Sequence, residues 1–386
     1  MTLFEKDKQY IANTYARFPV EIVRGKGAEA FDGSGKRYID MGAGIAVNSF
    51  GYSDDVWAEA VTEQINTLQH TSNLYYTEPC VRLAEMLCAK TGLKKVFFGN
   101  SGAEANEAAI KAARLYAEKK TGGPKPIITL CGSFHGRTLG TLAATGQDAF
   151  HKDFLPLCPG FLYTEPNDFE AFSKLADETP CAAVMMEMIQ GEGGVNKLDE
   201  GFVKAVADYA HSHDMLVIVD EVQTGNGRSG ALYAYMKFGI EPDIVTTAKG
   251  LGGGLPIGAC MLGERVSDIY TPGTHGSTFG ANPVCCAGAV SILERIDGEL
   301  LAGVEKKSEY IINRLEACKG VRSVSGMGLM LGVECEKDKA EVIAACREKG
   351  LLVLSAKNKI RLLPPLNISD ELLAEAMDIL ISVIEA

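Results

Sequence analysis

The 386-residue sequence has no unbroken apolar run approaching the roughly 18 residues that a membrane-spanning helix requires. Its first residues, Met1-Thr2-Leu3-Phe4-Glu5-Lys6-Asp7, mix charges of both signs where a secretory signal needs an apolar stretch, so export is not expected. Positive charge is not in excess: 38 Lys and Arg stand against 50 Asp and Glu, a formal charge of −12. That field disfavours nucleic acid and anionic membranes as partners, so an anionic substrate needs a local cationic pocket. No C-x-x-C pair occurs among the 11 cysteines, and no histidine sits near them at ligand spacing; only Cys285 and Cys286 adjoin. An odd count leaves at least one thiol unpaired. A disulfide framework and a metal site are both disfavoured, and a reduced, cytoplasmic setting is expected. Repeats with a period of about 20–50 residues and low-complexity linkers are absent too, which excludes solenoids and beads on a string.

What is present reads as a folded α/β protein. The composition is 46% hydrophobic, 23% charged and 8% aromatic. At about 150 residues per domain, the length allows two or three domains. Residues 28–32 and 36–40 flank Gly33-Ser34-Gly35 and predict a hairpin. From about Gly51 onward, helical stretches such as Glu200 to His213 alternate with short, continuously apolar runs. These are 96–98, 126–130, 182–186, 216–219 and 244–247. Runs without alternation suit strands buried on both faces of a mostly parallel sheet joined by helical crossovers. After about Asn282 a second α/β unit is expected, with strands at 330–334, 351–355 and 360–363. It closes on an amphipathic helix that opens with Ser369-Asp370-Glu371. The organisation expected is an N-terminal segment (1–50) that joins a small α/β domain (282–386), with a large domain (51–281) between them.

Several apolar runs end in polar groups. Val219 leads to Asp220-Glu221, Met186 to Glu187, and Thr247 to Ala248-Lys249. Ligands of open α/β sheets bind beyond the carboxyl ends of the strands, so these groups could converge, although each alone could be a cap or a surface residue. Gly99-Asn100-Ser101-Gly102-Ala103-Glu104 turns from an apolar run into a helix whose free N–H groups could take an anion, or could simply be capped. Lys249 precedes the glycine-rich stretch 250–258. This is neither a P-loop nor a dinucleotide fingerprint. Glycines beside a lysine do let the backbone approach a flat ligand.

Five motifs in order, Phe97–Asn106, Ser133-Phe134-His135-Gly136-Arg137, Asp220-Glu221-Val222-Gln223-Thr224-Gly225, Ala248-Lys249-Gly250 and Gly276-Ser277-Thr278-Phe279-Gly280, give the chain a resemblance to class III pyridoxal-phosphate aminotransferases. The likeness runs from Gly42 to Arg361-Leu362-Leu363-Pro364-Pro365. Within the class it is most similar to the acetylornithine enzymes, notably at His70-Thr71-Ser72-Asn73.

The resemblance implies a fold type I architecture, a large domain with a mostly parallel seven-stranded sheet plus a small α/β domain from both termini. It also implies pyridoxal 5'-phosphate as cofactor, and a homodimer with shared active sites. Lys249 would form a Schiff base with the cofactor and act as base, and Asp220 would pair with the ring nitrogen. Glu221 belongs to the same cofactor-binding motif. Val222 and Phe134 would cover the two ring faces, and Gln223 would reach the phenolic oxygen. Ser101, Gly102 and Ala103 would hold the phosphate, with Thr278 reaching it from the partner subunit. Arg137 and Ser277 would bind a substrate carboxylate, and Glu192 and Arg361 would form a pair at a second carboxylate position.

The implied reaction moves the terminal amine of N2-acetylornithine to 2-oxoglutarate in two half-reactions, as in arginine biosynthesis. Ornithine, succinylornithine, 4-aminobutyrate and acetyllysine remain alternative donors, and Gly44 is expected to leave volume for an acyl group. Two departures stand out. Ala103 replaces a threonine of many relatives, and Met188 replaces a proline, which would shift Glu192. His135 and His70 are expected to be packed structural residues. Outside this class, a nicotinamide-dependent dehydrogenase lacks its fingerprint. A noncatalytic scaffold would have no use for Lys249 with Asp220.

Overall fold

The computed structural model describes residues 1–386, apart from the side chain of residue 121. The N-terminal hairpin forms where expected. Strands β1 (Ile22–Lys26), β2 (Glu29–Asp32) and β3 (Arg37–Asp40) run antiparallel. The central sheet begins with β4 (Lys95–Gly99), β5 (Ile127–Leu130), β6 (Phe161–Thr164) and β7 (Ala183–Met186). A two-stranded hairpin of β8 (Ile189–Gln190) and β9 (Asn196–Lys197) follows. The chain then returns to the central sheet with β10 (Leu216–Asp220), β11 (Ile244–Thr247) and β12 (Gly258–Leu262).

The seven strands stand in the order β4-β12-β11-β10-β7-β5-β6. All neighbours pair in parallel except β12, which is antiparallel to both β11 and β4. The continuous apolar runs are explained by burial on both faces. Leu216 and Ile218 face one core with Ile127, Ala183 and Met185, while Val217 and Val219 face the other with Ile128, Val184 and Met186. Strands β6 and β12 were not anticipated. Phe161-Leu162-Tyr163-Thr164 is half exposed at the sheet edge, and β12 is hidden behind the glycine-rich stretch.

The helix Gly102–Thr121 lies close on the sheet because Ala105, Ala108, Ala109, Ala112 and Ala113 present only methyl groups to it. Its start is fixed by Ser101, whose hydroxyl accepts the Glu104 N–H.

The C-terminal unit holds β13 (Val321–Met327), β14 (Met330–Cys335), β15 (Leu351–Leu352), β16 (Leu354–Ala356) and β17 (Lys359–Leu362). The run expected as one strand at 351–355 is divided at Val353. Leu351 and Leu352 pair with β3, whereas β16 joins the antiparallel sheet β13-β14-β17-β16. Strand β13 was also missed, since its alternation is weak. Ala28, Ile39 and Met41 share a core with residues of 304–384, so the N-terminal segment packs with the C-terminal unit. The helix Pro283–Glu294 packs into the large core through Cys286, Ala289 and Leu293. The closing helix Asp370–Glu385 is capped by Ser369 and buries Leu373, Ala376, Leu380 and Val383. All 11 cysteines are free. Among the described residues no helix is long and apolar enough to cross a membrane.

Candidate active site

The carboxyl ends of β4, β5, β7, β10 and β11 open on one edge of the sheet and surround a cavity of about 460 Å³. Asp220 ends β10, opposite Thr246 in the register with β11, and Lys249 follows β11 by two residues. Both line the cavity with Ser101, Gly102, Ala103, Phe134, Arg137, Val222 and Gln223. The backbone of Lys249 is left-handed, with φ at 45°, a conformation that costs a non-glycine residue about 1–3 kcal/mol. It is held by a tight turn in which the Gly252 N–H donates to the Lys249 carbonyl at 3.1 Å. Burial is the main cause that pushes the Lys249 amine below its ordinary pKa, and Arg361 adds to it, while Glu192, Asp220 and Glu187 pull the other way.

Asp220 is buried and held by three donors, which leaves acceptor capacity on its carboxylate. Asn106 Nδ2 donates to its Oδ2 at 2.8 Å, and the Val222 N–H donates to Oδ1 at 3.0 Å. His135 Nδ1 lies 2.8 Å from the same Oδ2, so with Asp220 ionised Nδ1 carries the proton. Asn106 is itself fixed, donating to the His135 carbonyl and accepting from Thr246 Oγ1 at 2.6 Å. His135 was expected to be merely packed; it is packed, and it also binds the carboxylate. Its Nε2 is buried without a partner among the described residues.

At the helix start Gly102 and Ala103 line the cavity, and their N–H groups, which have no carbonyl of their own helix to donate to, have no partner among the described residues. A Cβ on Gly102 would stand 2.6 Å from Val222 Cγ1, so glycine is required for this close approach. The Ser101 hydroxyl is occupied with its own helix, donating to Glu104 Oε2 at 3.1 Å while accepting the Glu104 N–H. Backbone donors, rather than a side chain, are therefore what this helix start offers an anion.

Arg137 is exposed at the cavity wall and makes no ion pair among the described residues; its guanidinium lies over Phe150 at 4.3 Å and over Phe134 at 5.5 Å. Arg361 is buried, donating through one nitrogen to Glu192 Oε1 at 2.5 Å and to Gln223 Oε1 at 3.1 Å. The Met188 departure leaves this pair intact, because Met188 is buried and its carbonyl accepts the Leu198 N–H at 3.0 Å.

Five expected site residues do not line the cavity: Glu192 and Arg361, which are joined to it through Gln223, and Glu221, Thr278 and Ser277. Glu221 does not line the cavity. Its carboxyl points to the opposite side of the strand end, accepting from Thr224 Oγ1 at 2.6 Å and from the Tyr235 N–H at 2.7 Å. Adjacent residues leaving a strand face opposite ways, so Asp220 and Glu221 cannot both enter. Thr278 is exposed outside the cavity. Ser277 is turned to Asn100 Nδ2 at 3.2 Å and the Gly280 N–H at 2.9 Å. Gly44 also falls outside the lining, whereas Val47 is part of it. Glu187, legible in the sequence only as a strand end, lines the cavity, buried, with its carboxyl pushed up to about 7 chiefly by burial. The only available signal for it was its place after an apolar run.

The cavity fits the cofactor expected from the motifs. Its lining combines the apolar side chains of Phe134 and Val222, the buried Asp220 carboxylate, the start of a helix and an amine of lowered pKa. A flat, phosphorylated ring with a basic nitrogen and an aldehyde has the complementary groups.

Residues 10–384 match the family model described as Aminotransferase class-III. The acetylornithine aminotransferase of Haemophilus ducreyi is 48% identical over 381 residues, covering 98% of this chain and 97% of that one. The succinylornithine transaminase of Citrobacter koseri is 43% identical, covering 97% of this chain and 95% of that one. Among solved structures, the ornithine aminotransferase of Toxoplasma gondii superposes with a TM-score of 0.94 at 32% identity, over 99% of this chain and 94% of that one. The N-acetylornithine aminotransferase of Stenotrophomonas maltophilia gives 0.85 at 36% identity, over 99% and 98%. With a family match that spans nearly the whole chain and a cavity that suits the family's cofactor, this protein belongs to the class III aminotransferases.

Proposed function

We propose that the protein moves the terminal amine of N2-acetylornithine to 2-oxoglutarate, using pyridoxal 5'-phosphate held in the cavity. The observation that carries the reading is the meeting of Lys249 and Asp220 in one cavity with an anion-ready helix start. When bound, the cofactor supplies an aldehyde for amine exchange and a ring that accepts the electron pair left by a deprotonated carbon. Lys249 Nζ is the group that takes and returns the substrate proton. Its lowered pKa keeps more of the amine neutral, as a base must be. Asp220 presents a fixed anion toward a protonated ring nitrogen, with Asn106 and His135 setting its orientation.

Arg137 would take the carboxylate that donor and acceptor share. 2-Oxoglutarate carries a second carboxylate, for which Arg361 is the candidate partner once Glu192 releases it. Glu192 thus neutralises Arg361 while the amine donor is bound. Acetylornithine is favoured over the alternative donors by the names of several relatives, and succinylornithine is the second reading, carried by one of them.

A homodimer is proposed from the surface. Leu74, Tyr75, Tyr76 and Phe279 are 87%, 70%, 100% and 62% exposed. Asn73 joins their two segments by donating to the Ser277 and Gly280 carbonyls. A second copy on this face would bring Thr278 to the neighbouring cavity. The 11 free thiols accord with a reduced, cytoplasmic setting.

Initial rates with a panel of ω-amines at fixed 2-oxoglutarate test the reading. Acetylornithine should give the highest kcat/KM, and a higher value for another amine reassigns the donor. A protein that shows no visible absorption after incubation with the cofactor overturns the class of chemistry.

A further inference from the structure

Glu187 leaves β7 at the cavity floor and is 5% exposed. Its two oxygens serve different elements. Oε1 accepts the Phe134 N–H at 2.8 Å, and Oε2 accepts the Gly191 N–H at 3.3 Å. Phe134 belongs to the loop that carries His135 and Arg137. Gly191 begins the turn that carries Glu192. That turn is seated tightly, since a Cβ on Gly191 would stand 2.7 Å from Gln223 Oε1, the atom that accepts from Arg361. One buried carboxylate thus ties the ring-facing loop to the turn that carries Glu192, the partner of Arg361.

We propose that Glu187 is a positioning residue. Its carboxylate sets the Phe134 loop and the Gly191–Val195 turn in register, so that the ring-binding face and the second carboxylate position are built as one unit. This rests on the roles proposed above for Phe134, Glu192 and Arg361. Glu187 contacts neither substrate nor cofactor in this account. Its raised pKa accords with the cost of burying a charge that two N–H groups only partly offset. The ionisable groups that face it are His135, Asp220 and Lys249.

The test compares Glu187→Gln with Asp243→Asn in the holoenzyme. A glutamine keeps one acceptor oxygen and turns an NH₂ toward the other N–H. Asp243 is similarly buried and accepts the Val217 N–H, away from the cavity. Hydrogen exchange should accelerate about tenfold in both 133–137 and 191–195 in Glu187→Gln, and in neither segment in Asp243→Asn. The KM for 2-oxoglutarate should rise about tenfold, beyond any fall in kcat. If only one segment loosens, or if both variants loosen both segments alike, the register role is overturned.

Where Glu187→Gln does not fold, the unaltered protein decides. Protection of the two segments, corrected for intrinsic rates, should rise together between about pH 8 and about pH 5.5 as the carboxylate gains a proton, because the closed state, with the raised pKa, binds that proton more tightly than an opened one. Independent behaviour rejects the proposal. These exchange readouts do not depend on Glu192 acting as a switch, so their failure is distinct from failure of that reading.

Discussion

Asp220 and His135 meet at 2.8 Å in the floor of the cavity, both buried, with Asn106 donating to the same Asp220 oxygen from the other side. With the Val222 N–H as a third donor, this carboxylate cannot rotate to follow a ligand, so any cationic group it serves must come to it. This is the arrangement expected of an anion kept for a protonated ring nitrogen rather than of a helix cap.

Asp220→Asn should therefore keep the fold and bound cofactor but lower kcat by about a hundredfold or more, because an amide carries no charge to hold that proton. The loss should lie in the proton-transfer step, visible as an increased isotope effect with deuterated donor. An unchanged kcat reduces Asp220 to a structural strand end.

Buried Arg361 pairs with half-buried Glu192, and the two readings of the pair differ in half-reaction kinetics. Arg361→Ala should slow the reaction of the aminated enzyme with 2-oxoglutarate by about 30- to 1000-fold, the equivalent of about 2–4 kcal/mol, while sparing amine donation far more. Stopped-flow traces with both halves slowed equally would leave only a static tie between two parts of the fold.

Gly102→Ala places a methyl 2.6 Å from Val222 Cγ1. Val222 would have to move into the slot opposite Phe134. Cofactor dissociation, followed by loss of visible absorbance on dilution, should be about tenfold faster, with little change in melting temperature.

The Glu221 carboxyl is pushed up to about 7 by burial, from a reference of 4.5. The folded state thus binds more protons than the unfolded state between these values, so the stability linked to Glu221 is full below about pH 4.5 and is lost as pH rises through about 7. The whole effect is on the order of 3 kcal/mol. Glu221→Gln keeps an acceptor for the Tyr235 N–H and has no charge to bury. Denaturant midpoints at about pH 5 and about pH 8 should differ less in this variant than in the parent, a gap of the same size in both being the contrary result.

The strands that carry the chemistry were legible because burial on both faces demands uninterrupted apolar residues, as in Leu216–Val219 and Ala183–Met186. Strand β12 was not. Its pairing with β4 joins residues about 160 apart, and its glycine-rich approach masks its start. Lys249 and Asp220 could be read from their places after such strands and from motif order. Glu221 could not be separated from Asp220, because only the backbone path shows that neighbouring side chains leave a strand on opposite sides. The dual reach of Glu187 depends on where Phe134 and Gly191 lie in space, 53 residues before it in one case and four after it in the other. No local pattern encodes such a contact. Thr278 illustrates the opposite limit. Its expected role requires a second chain, so its exposure in one chain neither uses nor denies it.

The central claim is that Lys249 is the amine that binds the cofactor. Incubation with pyridoxal 5'-phosphate, reduction with borohydride and peptide mapping test it most directly. One pyridoxyl group per chain is expected, on Lys249, and none in Lys249→Ala, whose turnover should fall by at least about a thousandfold with the fold retained. A label on another lysine, or a Lys249→Ala variant that turns over within about tenfold of the parent, would contradict it.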